Sequence, residues 1–508
     1  MTDEIELKLA LPASAHYRFL RHSLLRNAVS RHTQQLVNLY YDTPALDLHR
    51  RGVALRLRKQ GRTWLQTVKS AGHSAVGLST RPEWEIPYQG HFDFSGIDAD
   101  HLRKWLERPR LLNNLSPQFE TNFRRIIWRF EPATNPGAIV LLMLDRGWIA
   151  AQGQREAISE VEIELVSGDV AELFKLAQDL MDHIPLVPAV LSKAERGYRL
   201  IQGTHLTPVK AQPISVHPDC SPPEAFRLIA LSCFEQLQGN REGALGSDNP
   251  EFIHQMRVAT RRLRAALRLF APVLPADFAD AMLPPLRELM ARLGSARDLD
   301  VVLTEIIAPV MLALPDESRL AALADVVSDH QCAARSAALA YLQSPAFGRM
   351  LLQATAALHK PSFVAGAGET SCFLIAPCFA ENRLRYLYEK VFALSAQAHM
   401  NAPASLHSLR IAIKRLRYAL EFFASLLSDK PLRRLLHYLT TLQEELGQLN
   451  DLANAGMMLM RCAADDSSLR EAVTLVGGWH GPNHAALLAR IPPHLKDLKR
   501  LKLPSLKS

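Results

Sequence analysis

The chain has 508 residues, of which 48% are hydrophobic and 22% are charged. This balance is typical of soluble globular proteins, so disordered and collagen-like chains are excluded. The length predicts two to four domains, since one domain usually has roughly 100 to 200 residues. The 59 lysines and arginines and 51 aspartates and glutamates leave a net charge of +8, a mild excess that does not by itself indicate nucleic-acid binding.

Cysteine spacing and the N-terminus bear on the cellular location. The six cysteines form no CxxC pair, so neither a zinc site nor a disulfide scaffold is expected. They are Cys220, Cys233, Cys332, Cys372, Cys378 and Cys462. The chain opens with acidic residues, and no uncharged apolar run approaches the roughly 18 residues of a membrane span. The sequence therefore predicts a cytoplasmic protein that is not associated with a membrane.

The first 205 residues alternate apolar and charged side chains in short runs, a period typical of half-exposed strands. Eight or nine strands are predicted, at about 4–11, 36–41, 53–59, 63–69, 83–88, 123–130, 139–145, 149–152 and 158–166. Helices are predicted at about 14–26, 98–107 and 169–182. Five prolines in the sixteen residues 208–223 disfavour helix and interior strand, so we place a linker at 206–223.

The remaining chain has alanine, leucine and arginine at three- and four-residue spacing, which predicts an all-α domain over 224–490. Helices are expected at about 224–238, 250–270, 277–293, 298–313, 317–341, 346–357, 378–396, 405–427, 431–446 and 449–462. The last residues, 491–508, form a basic tail that is expected to fray.

The helical half contains an internal repeat. The segment 254–264 recurs at 407–417, a shift of 153 residues, and 293–299 recurs at 446–452 with the same shift. Two separate motifs that share one offset indicate a duplication. Each copy places one basic stripe on a helix face, formed by His254, Arg257, Arg261 and Arg264 and by His407, Arg410, Lys414 and Arg417.

The basic stripes predict an anion ligand, because like charges on one helix face repel each other. A solvated basic face remains the alternative. If the two helices face each other, they line a trough with at least seven cations, which suits a linear polyanion. Nucleic acid is a less favoured ligand, since aromatic side chains do not interleave with these arginines. Over about 220–490 the chain resembles the CHAD family through its HxxRxxxRRLR signature. That resemblance implies a helical bundle whose basic groove binds inorganic polyphosphate.

Charged residues also recur at period two along the predicted strands. Glu4, Glu6 and Lys8 alternate with apolar residues, so they share one face of the first strand. The same pattern occurs at Arg56 and Arg58, at Arg81, Glu83 and Glu85, and at Glu160, Glu162 and Glu164, while Lys69, Arg125 and Asp145 lie in other strands. If the sheet closes into a barrel, these charges point inward. Such an interior is costly to desolvate unless a bound group compensates it.

Carboxylates side by side favour a divalent cation, and arginines and lysines favour phosphate oxygens. Hard oxygen ligands predict Mg²⁺ or Mn²⁺. No glycine-rich phosphate loop of the GxxxxGK[ST] kind is present, so side chains are expected to hold the phosphates. Taken alone, each of these residues is also consistent with a strand-edge charge, a turn residue or a helix-terminal cation.

The first 203 residues resemble the CYTH superfamily of triphosphate tunnel enzymes. Its ExExK motif matches Glu4, Glu6 and Lys8, and the likeness continues through 40–44, 55–58, Lys69, 81–83, Arg125, Asp145, 160–164 and 192–198. The resemblance implies an eight-stranded antiparallel tunnel that hydrolyses or cyclises a triphosphate with a divalent metal. A CYTH domain followed by a CHAD domain is similar to bacterial inorganic triphosphatases.

We therefore expect an inorganic triphosphatase with three groups of site residues. The expected metal ligands are Glu4, Glu6, Asp145, Glu160, Glu162 and Glu164. Phosphate is expected to contact Lys8, Arg56, Arg58, Lys69, Arg81, Arg125, Lys193 and Arg196. The catalytic set comprises Glu4, Glu6, Lys8, Glu83 and Lys193, with either Glu83 or Glu162 as the proton acceptor. The expected reaction is in-line transfer of phosphate to water, assisted by two Mg²⁺ ions.

Other readings of the same tunnel stay open. An adenylate cyclase or a nucleoside or thiamine triphosphatase needs a pocket for a base or ring, and no segment of the sequence indicates one. A non-catalytic polyphosphate-binding scaffold is disfavoured by the intact Glu4, Glu6 and Lys8 set. Glu85 is not expected in every tunnel of this kind, and we place it at the tunnel mouth.

Overall fold

We describe the protein from a computed structural model that covers residues 2–133, 135–203, 206–360, 363, 375–400 and 402–507. The chain divides into two compact units. The first comprises Met1–Thr207 and Gln343–Lys360, and the second comprises Pro208–Leu342 and Pro361–Ser508.

The first unit is built on one antiparallel sheet. Its strands are β1 (Thr2–Ala10), β2 (Ser30–Asp42), β3 (Ala54–Gln60), β4 (Thr63–Lys69), β5 (His73–Ala75), β6 (Leu78–Pro87), β7 (Ser116–Phe130), β8 (Ile139–Ala151), β9 (Gln154–Ser167) and β10 (Val187–Pro188). Eight of them follow the order β1-β9-β8-β7-β2-β3-β4-β6, and β6 pairs with β1 to close the barrel. The predicted eight-stranded antiparallel tunnel is confirmed.

Strand alternation separates an apolar outer layer from a charged interior. Leu7 and Leu9 of β1 are fully buried in an apolar cluster with Leu173 and Leu180 of a covering helix. Glu6 and Lys8 alternate with them and therefore face the opposite side of the sheet. Six helices of the N-terminal segment accompany the barrel: α1 (His16–Leu20), α2 (Asp47–Arg50), α3 (Asp100–Leu106), α4 (Pro109–Leu112), α5 (Ala171–Met181) and α6 (Lys193–Gln202).

Strand β8 is continuous where the sequence predicts two strands, at 139–145 and 149–152. Gly147 lies within it, opposite Phe123 of β7. A Cβ atom at Gly147 would lie 2.1 Å from the carbonyl oxygen of Asn122. Glycine is therefore required by close strand approach, and it does not interrupt the strand.

A helix from the middle of the chain belongs to the barrel unit. Helix α13 (Pro345–His359) packs against α5 and β10, and Leu352 joins the same apolar cluster as Leu7. From its own pattern, which is that of any amphipathic helix, this segment is expected in the helical domain at 224–490. The helix covers an apolar surface of α5, which is distant in sequence, so the local pattern does not predict this contact. The other predicted domain boundaries stay predictions.

The second unit is helical, as predicted. It contains α7 (Pro222–Gly239), α8 (Arg241–Gly246), α9 (Glu251–Leu269), α10 (Ala276–Val301), α11 (Ala308–Ala313), α12 (Ser318–Gln343), α14 (Ala376–Ala396), α15 (Pro403–Phe422), α16 (Asp429–Ala463) and α17 (Ser467–Leu498). A π-helical turn, Val302–Ile307, joins α10 to α11. After the proline-rich linker, α7 begins with a capping box between Ser221 and Glu224.

In the C-terminal part, one helix was not predicted and one expectation was wrong. Helix α17 was not predicted, because its glycines and three internal prolines, Pro482, Pro492 and Pro493, disfavour a helix; it forms by packing along α16. The tail after α17 does not fray. Leu501 is buried, and Leu506 forms a β-bridge with Leu427. Apolar residues between the tail lysines explain this packing. Ser508 lies outside the described residues.

The cysteines and the helix lengths can be compared with the expectations from the sequence. The thiols of Cys220, Cys233, Cys332, Cys378 and Cys462 are free, and Cys372 lies outside the described residues. Within the described ranges, each helix is too short or too polar to cross a bilayer.

Candidate active site and anion-binding groove

Strand pairing concentrates charge inside the barrel. On one side of β1, Glu6 lies opposite Glu164, and Lys8 lies opposite Glu162 of β9. On its other side, Glu4 lies opposite Arg81 of β6. Because residues directly opposite in neighbouring strands share a face, the period-two charges of separate sequence motifs meet on one inner wall.

The carboxylates of β8 and β9 are held by two cations. Lys193, the first residue of α6, is fixed by a capping box at Ser192. Its Nζ lies 2.7 Å from Oδ2 of Asp145 and 2.9 Å from Oε1 of Glu162, and it also donates to Glu160. Arg125 donates to both oxygens of Asp145, at 2.7 and 2.6 Å, and to Glu162. This buried group forms a continuous ion-pair network.

A second network lies around β3, β4 and β6. Lys69 Nζ is 3.0 Å from Oε2 of Glu83 and also contacts Glu4. Arg56 donates to Oε1 of Glu83 at 3.2 Å. Glu85, which we placed at the tunnel mouth, lies 3.9 Å from Arg56, and its side chain is 35% exposed. Glu85 therefore serves as a counter-charge for the arginines of β3.

The carboxylates differ in how well they are neutralised. Burial raises the pKa of Glu162, but Lys193, Arg125 and Lys8 outweigh burial and hold that pKa well below its usual value. Burial likewise raises the pKa of Glu83, and Lys69 with Arg56 lowers it below the usual value. Glu164 is the opposite case. Burial and the charge of Glu4 raise its pKa to about 7.

One cavity gathers most of the predicted residues. Its lining includes Glu4, Glu6, Lys8, Arg56, Arg58, Lys69, Arg81, Arg125, Glu162 and Lys193. Glu83, Asp145, Glu160, Glu164 and Arg196 do not line it; Glu83, Asp145 and Glu160 pair with residues that do. Arg196 donates to Glu156 at 2.6 Å and to Glu160 at 3.1 Å.

Sequence reasoning missed several lining residues. Asn38 and Tyr40 lie at alternating positions of β2, and Ser192 precedes Lys193. Asn38 accepts a hydrogen bond of 3.0 Å from Arg58 and is 1% exposed. Alternation of side chains also places Asn38 and Tyr40 on the inner face of β2. Because both are uncharged, a search for charged residues at period two does not find them.

Among the described residues, one set of carboxylates is close enough to share a cation. Oxygens of Asp145, Glu160 and Glu162 lie within 4.8 Å of one another. Lys193 and Arg125 pair with this set. Glu4 and Glu6 pair with Lys69 and Arg81, whereas Glu164 is in no ion pair with a residue the structure describes. Carboxylate oxygens suit a hard divalent ion.

The helical unit has its own basic groove, between α9, α10, α15 and α16. Its lining includes His254, Arg257, Arg261, Arg297 and Arg410, together with three carboxylates, Asp298, Glu305 and Asp451. Arg257 pairs with Asp298 at 2.6 Å, whereas Arg410 lies 3.9 Å from Asp451. The duplicated helices thus bring part of each predicted stripe to one groove.

Four stripe residues, Arg264, His407, Lys414 and Arg417, lie outside this groove lining. His407 is exposed, and its Nδ1 is 3.0 Å from Oδ1 of Asn450. Arg417 pairs with Glu421, which stands where the first copy has Arg268. The pKa of Arg264 is lowered by burial and by Arg287. Conversely, Arg297 was missed, although it belongs to the second repeated motif at 293–299.

Positive charge in the groove is incompletely balanced. Burial, with Arg261 and Arg410 nearby, lowers the pKa of Lys414 from 10.5 to about 7. Burial and Arg297 lower the pKa of His254. The groove therefore disfavours further positive charge unless an anion is present.

Comparisons with known proteins identify both parts. Residues 2–198 match the CYTH domain profile, and residues 228–459 match the CHAD domain profile. An inorganic triphosphatase of Haemophilus influenzae is 30% identical over 207 residues, which are 41% of this chain and 57% of that protein. The chain thus spans little more than half of that relative. The crystal structure of the CHAD domain from the plant Ricinus communis shows 33% identity and a TM-score of 0.52, covering 60% of this chain and 100% of that domain.

Proposed function

Because the chain carries a CYTH domain followed by a CHAD domain, we propose that it hydrolyses inorganic triphosphate to phosphate and pyrophosphate, with help from Mg²⁺ or Mn²⁺. The relative from Haemophilus influenzae is named for this activity and supports the choice. The cytoplasmic location remains a prediction.

The cations of the cavity wall carry the proposal. Seven cations line it, against three carboxylates. The cations are Lys8, Arg56, Arg58, Lys69, Arg81, Arg125 and Lys193. Four of these cations also pair with Glu83, Asp145 or Glu160 behind the wall, so the cavity presents converging phosphate-binding groups rather than a net excess of charge. Guanidinium groups bind phosphate oxygens in pairs, and several converging arginines favour a chain of phosphates over a single carboxylate.

The cavity offers no free aromatic surface for a base or ring among its described lining residues. Tyr40 is 4% exposed and stacks on Phe119 with ring centroids 4.5 Å apart. Phe123 is 2% exposed and lies beneath Arg125 and Lys193. These rings support the wall. Inorganic triphosphate is therefore favoured over ATP and thiamine triphosphate.

The proposed cation ligands are Asp145, Glu160 and Glu162, whose oxygens lie within 4.8 Å of one another, together with Glu4, Glu6 and Glu164. A divalent ion held by these carboxylates would supply Lewis-acid stabilisation of phosphate oxygens. Lys8, Lys69 and Arg56 would contact the other phosphate oxygens. The lowered pKa values of Glu162 and Glu83 keep both carboxylates ionised, which suits them to fixing the lysines and arginines in place.

A side-by-side assay tests the proposal. Purified protein is given triphosphate, ATP, thiamine triphosphate or long polyphosphate, each with Mg²⁺ or Mn²⁺, and the phosphate released is measured. We expect triphosphate to have the highest kcat/KM. Efficient conversion of ATP to cyclic AMP, or equal turnover of thiamine triphosphate, contradicts the proposal.

For the helical unit we propose inorganic polyphosphate binding in the groove lined by Arg257, Arg261 and Arg410, with Lys414 beside it. The likeness to a solved CHAD domain supports the fold of the groove, and its unbalanced cations support a linear polyanion. Competition between polyphosphate and RNA at stated salt concentrations tests the ligand, since both bind through phosphate charge. Tight RNA binding that polyphosphate fails to displace contradicts this assignment.

The raised pKa of Glu164 predicts pH-dependent metal binding. Its carboxyl is neutral below pH 7 and ionised above, so the affinity for Mn²⁺ should increase between pH 6 and pH 8, with proton release. In metal-free protein this group destabilises the fold increasingly as pH rises from 4.5 to about 7, and by a constant amount above that range. Glu164→Gln should raise the metal-free Tm at pH 8 by the equivalent of about 2 kcal/mol, with no gain at pH 4.

Calorimetry with Mn²⁺ and thermal unfolding check both effects. Glu131→Gln, at an exposed position paired with Arg129, is the matched control and should change neither. If Glu164→Gln binds Mn²⁺ as the wild type does at pH 8, Glu164 is not a ligand.

Lys414 predicts a second pH effect, in polyphosphate binding. Since its pKa is about 7, it loses its charge as pH rises from 6 to 8. Polyphosphate affinity should fall over this range by up to about tenfold, and Lys414→Arg should flatten the curve, because arginine stays charged. Fluorescence anisotropy with labelled polyphosphate measures this. The control is Lys430→Arg on the exposed start of α16, and an unchanged curve in Lys414→Arg contradicts the prediction.

A further inference from the structure

The two copies of the repeat differ at the C-terminal ends of α9 and α15. The offset of 153 residues extends to the preceding helices, α7 and α14. The ring contact of Phe226 with Phe270, at 5.6 Å, has its counterpart in Phe379 with Phe423, at 6.4 Å. Arg262 therefore corresponds to Arg415, and the residues around the two arginines can be compared.

In the first copy, the arginine is buried, hydrogen-bonded and close to a carboxylate. Arg262 is 3% exposed and donates to Oε1 of Gln236 at 2.9 Å. It also interacts with the carboxylate of Glu421. The face of α7 beside it is small and apolar, formed by the fully buried Ala230, Cys233 and Leu237.

In the second copy, the same place has become a basic pocket. Arg268 of α9 stands where Glu421 stands in the first copy, and it faces Arg415. On α14, Arg383, Tyr386 and Lys390 replace Ala230, Cys233 and Leu237. A cavity of about 250 Å³ opens between these side chains.

These four cations have no counter-charge within the described part of the chain. None of Arg268, Arg383, Lys390 and Arg415 forms an ion pair there, and the buried Nε atoms of Arg383 and Arg415 lack hydrogen-bond partners. Glu389, which takes the place of Gln236, is exposed and does not pair with Arg415. The ring of Tyr386 lies 5.4 Å from Arg383 and 5.9 Å from Lys390. That ring orders the cations without neutralising them.

We propose that this pocket is a second anion site of the helical unit, separate from the histidine-bearing groove, and that it binds a compact condensed phosphate such as pyrophosphate. Four cations from three helices match the three to four charges of pyrophosphate, whereas orthophosphate or sulfate leaves about half of them unbalanced. The cavity is too small for a long chain to coil in it. The proposal does not depend on hydrolysis in the barrel.

The test uses the full chain without divalent metal and measures pyrophosphate binding by calorimetry. Arg383→Gln should remove one binding site, or weaken one site at least tenfold. Arg385→Gln is the matched control, since Arg385 lies on the same helix but is exposed and paired with Glu381. Arg410→Gln changes the groove and should leave this site intact. Equal stoichiometry and affinity in Arg383→Gln and Arg385→Gln overturn the proposal.

A second variant restores the charge arrangement of the first copy. Arg268→Glu places a carboxylate beside Arg415, as Glu421 lies beside Arg262. This variant should lose the pyrophosphate site and have a higher Tm than the wild type in the absence of anions. A folded Arg268→Glu protein that keeps every wild-type pyrophosphate site contradicts the assignment. Sulfate or orthophosphate that competes with pyrophosphate at equal concentration contradicts the preference for a condensed phosphate.

Discussion

Replacing Glu6 by glutamine is expected to lower kcat/KM for inorganic triphosphate by about 100- to 1,000-fold, the usual loss when one electrostatic contact to the transition state is removed. Glu6 is 6% exposed and lies between Lys8, at 3.5 Å, and Arg81, at 3.7 Å. Glutamine keeps the shape and can still accept the hydrogen bond from Ser79. The change therefore removes a charge with little change in packing.

The kinetic pattern distinguishes a metal ligand from a structural residue. If Glu6 holds the cation, the concentration of Mn²⁺ that gives half-maximal activity should rise and kcat should fall. The KM for triphosphate should not rise, because Lys8 and Arg81 are freed to bind phosphate. Glu131→Gln on the barrel surface serves as the control. A folded Glu6→Gln protein with wild-type kcat/KM contradicts the proposed role.

Much of the barrel interior could be predicted because strand geometry is local. A period of two assigns Glu4, Glu6 and Lys8 to one face whatever their partners are. Once the sheet closes, the charged face must point inward, because Leu7 and Leu9 on the other face pack in an apolar cluster outside the barrel. The charged wall of the cavity was therefore accessible from the sequence, although which carboxylate meets which cation was not.

The parts that could not be predicted depend on contacts distant in sequence. Helix α13 packs on α5 because of an apolar surface more than 150 residues earlier, and α17 forms despite its prolines because α16 covers it. The repeat showed that Arg415 corresponds to Arg262. Only the structure shows that the carboxylate of Glu421 lies near the first arginine, and that the second arginine faces Arg268. Sequence patterns assign faces, whereas tertiary packing decides the neighbours.

Replacing Arg125 by methionine is expected to destabilise the barrel by about 3 to 5 kcal/mol at pH 7, the cost of leaving buried carboxylates without a partner. Arg125 lies between Asp145, whose side chain is 0% exposed, and Glu162, at 7%. Methionine preserves much of the volume over Phe123 but supplies no donors. Asp145 is then left with Lys193 alone, which also pairs with Glu160 and Glu162.

Arg124→Met is the matched control for this variant. Arg124 is the adjacent residue of β7 and lies on the opposite, exposed face. Its replacement should change stability by less than about 0.5 kcal/mol. Thermal unfolding of both variants measures the contrast. Equal Tm values for Arg124→Met and Arg125→Met contradict the role of Arg125 in balancing the network.

The stability difference between wild type and Arg125→Met should depend on pH. In the wild type, the pKa of Glu162 is well below its usual 4.5, so this carboxylate stabilises the fold above pH 4.5 and that contribution is lost as pH falls through the depressed value. Without Arg125 the pKa of Glu162 rises, and the carboxyl becomes protonated at a higher pH. The stability difference between wild type and Arg125→Met should therefore be greatest at pH 7 and shrink toward pH 3. If the difference stays constant down to pH 3, it comes from lost packing, because only an unpaired charge is relieved by protonation.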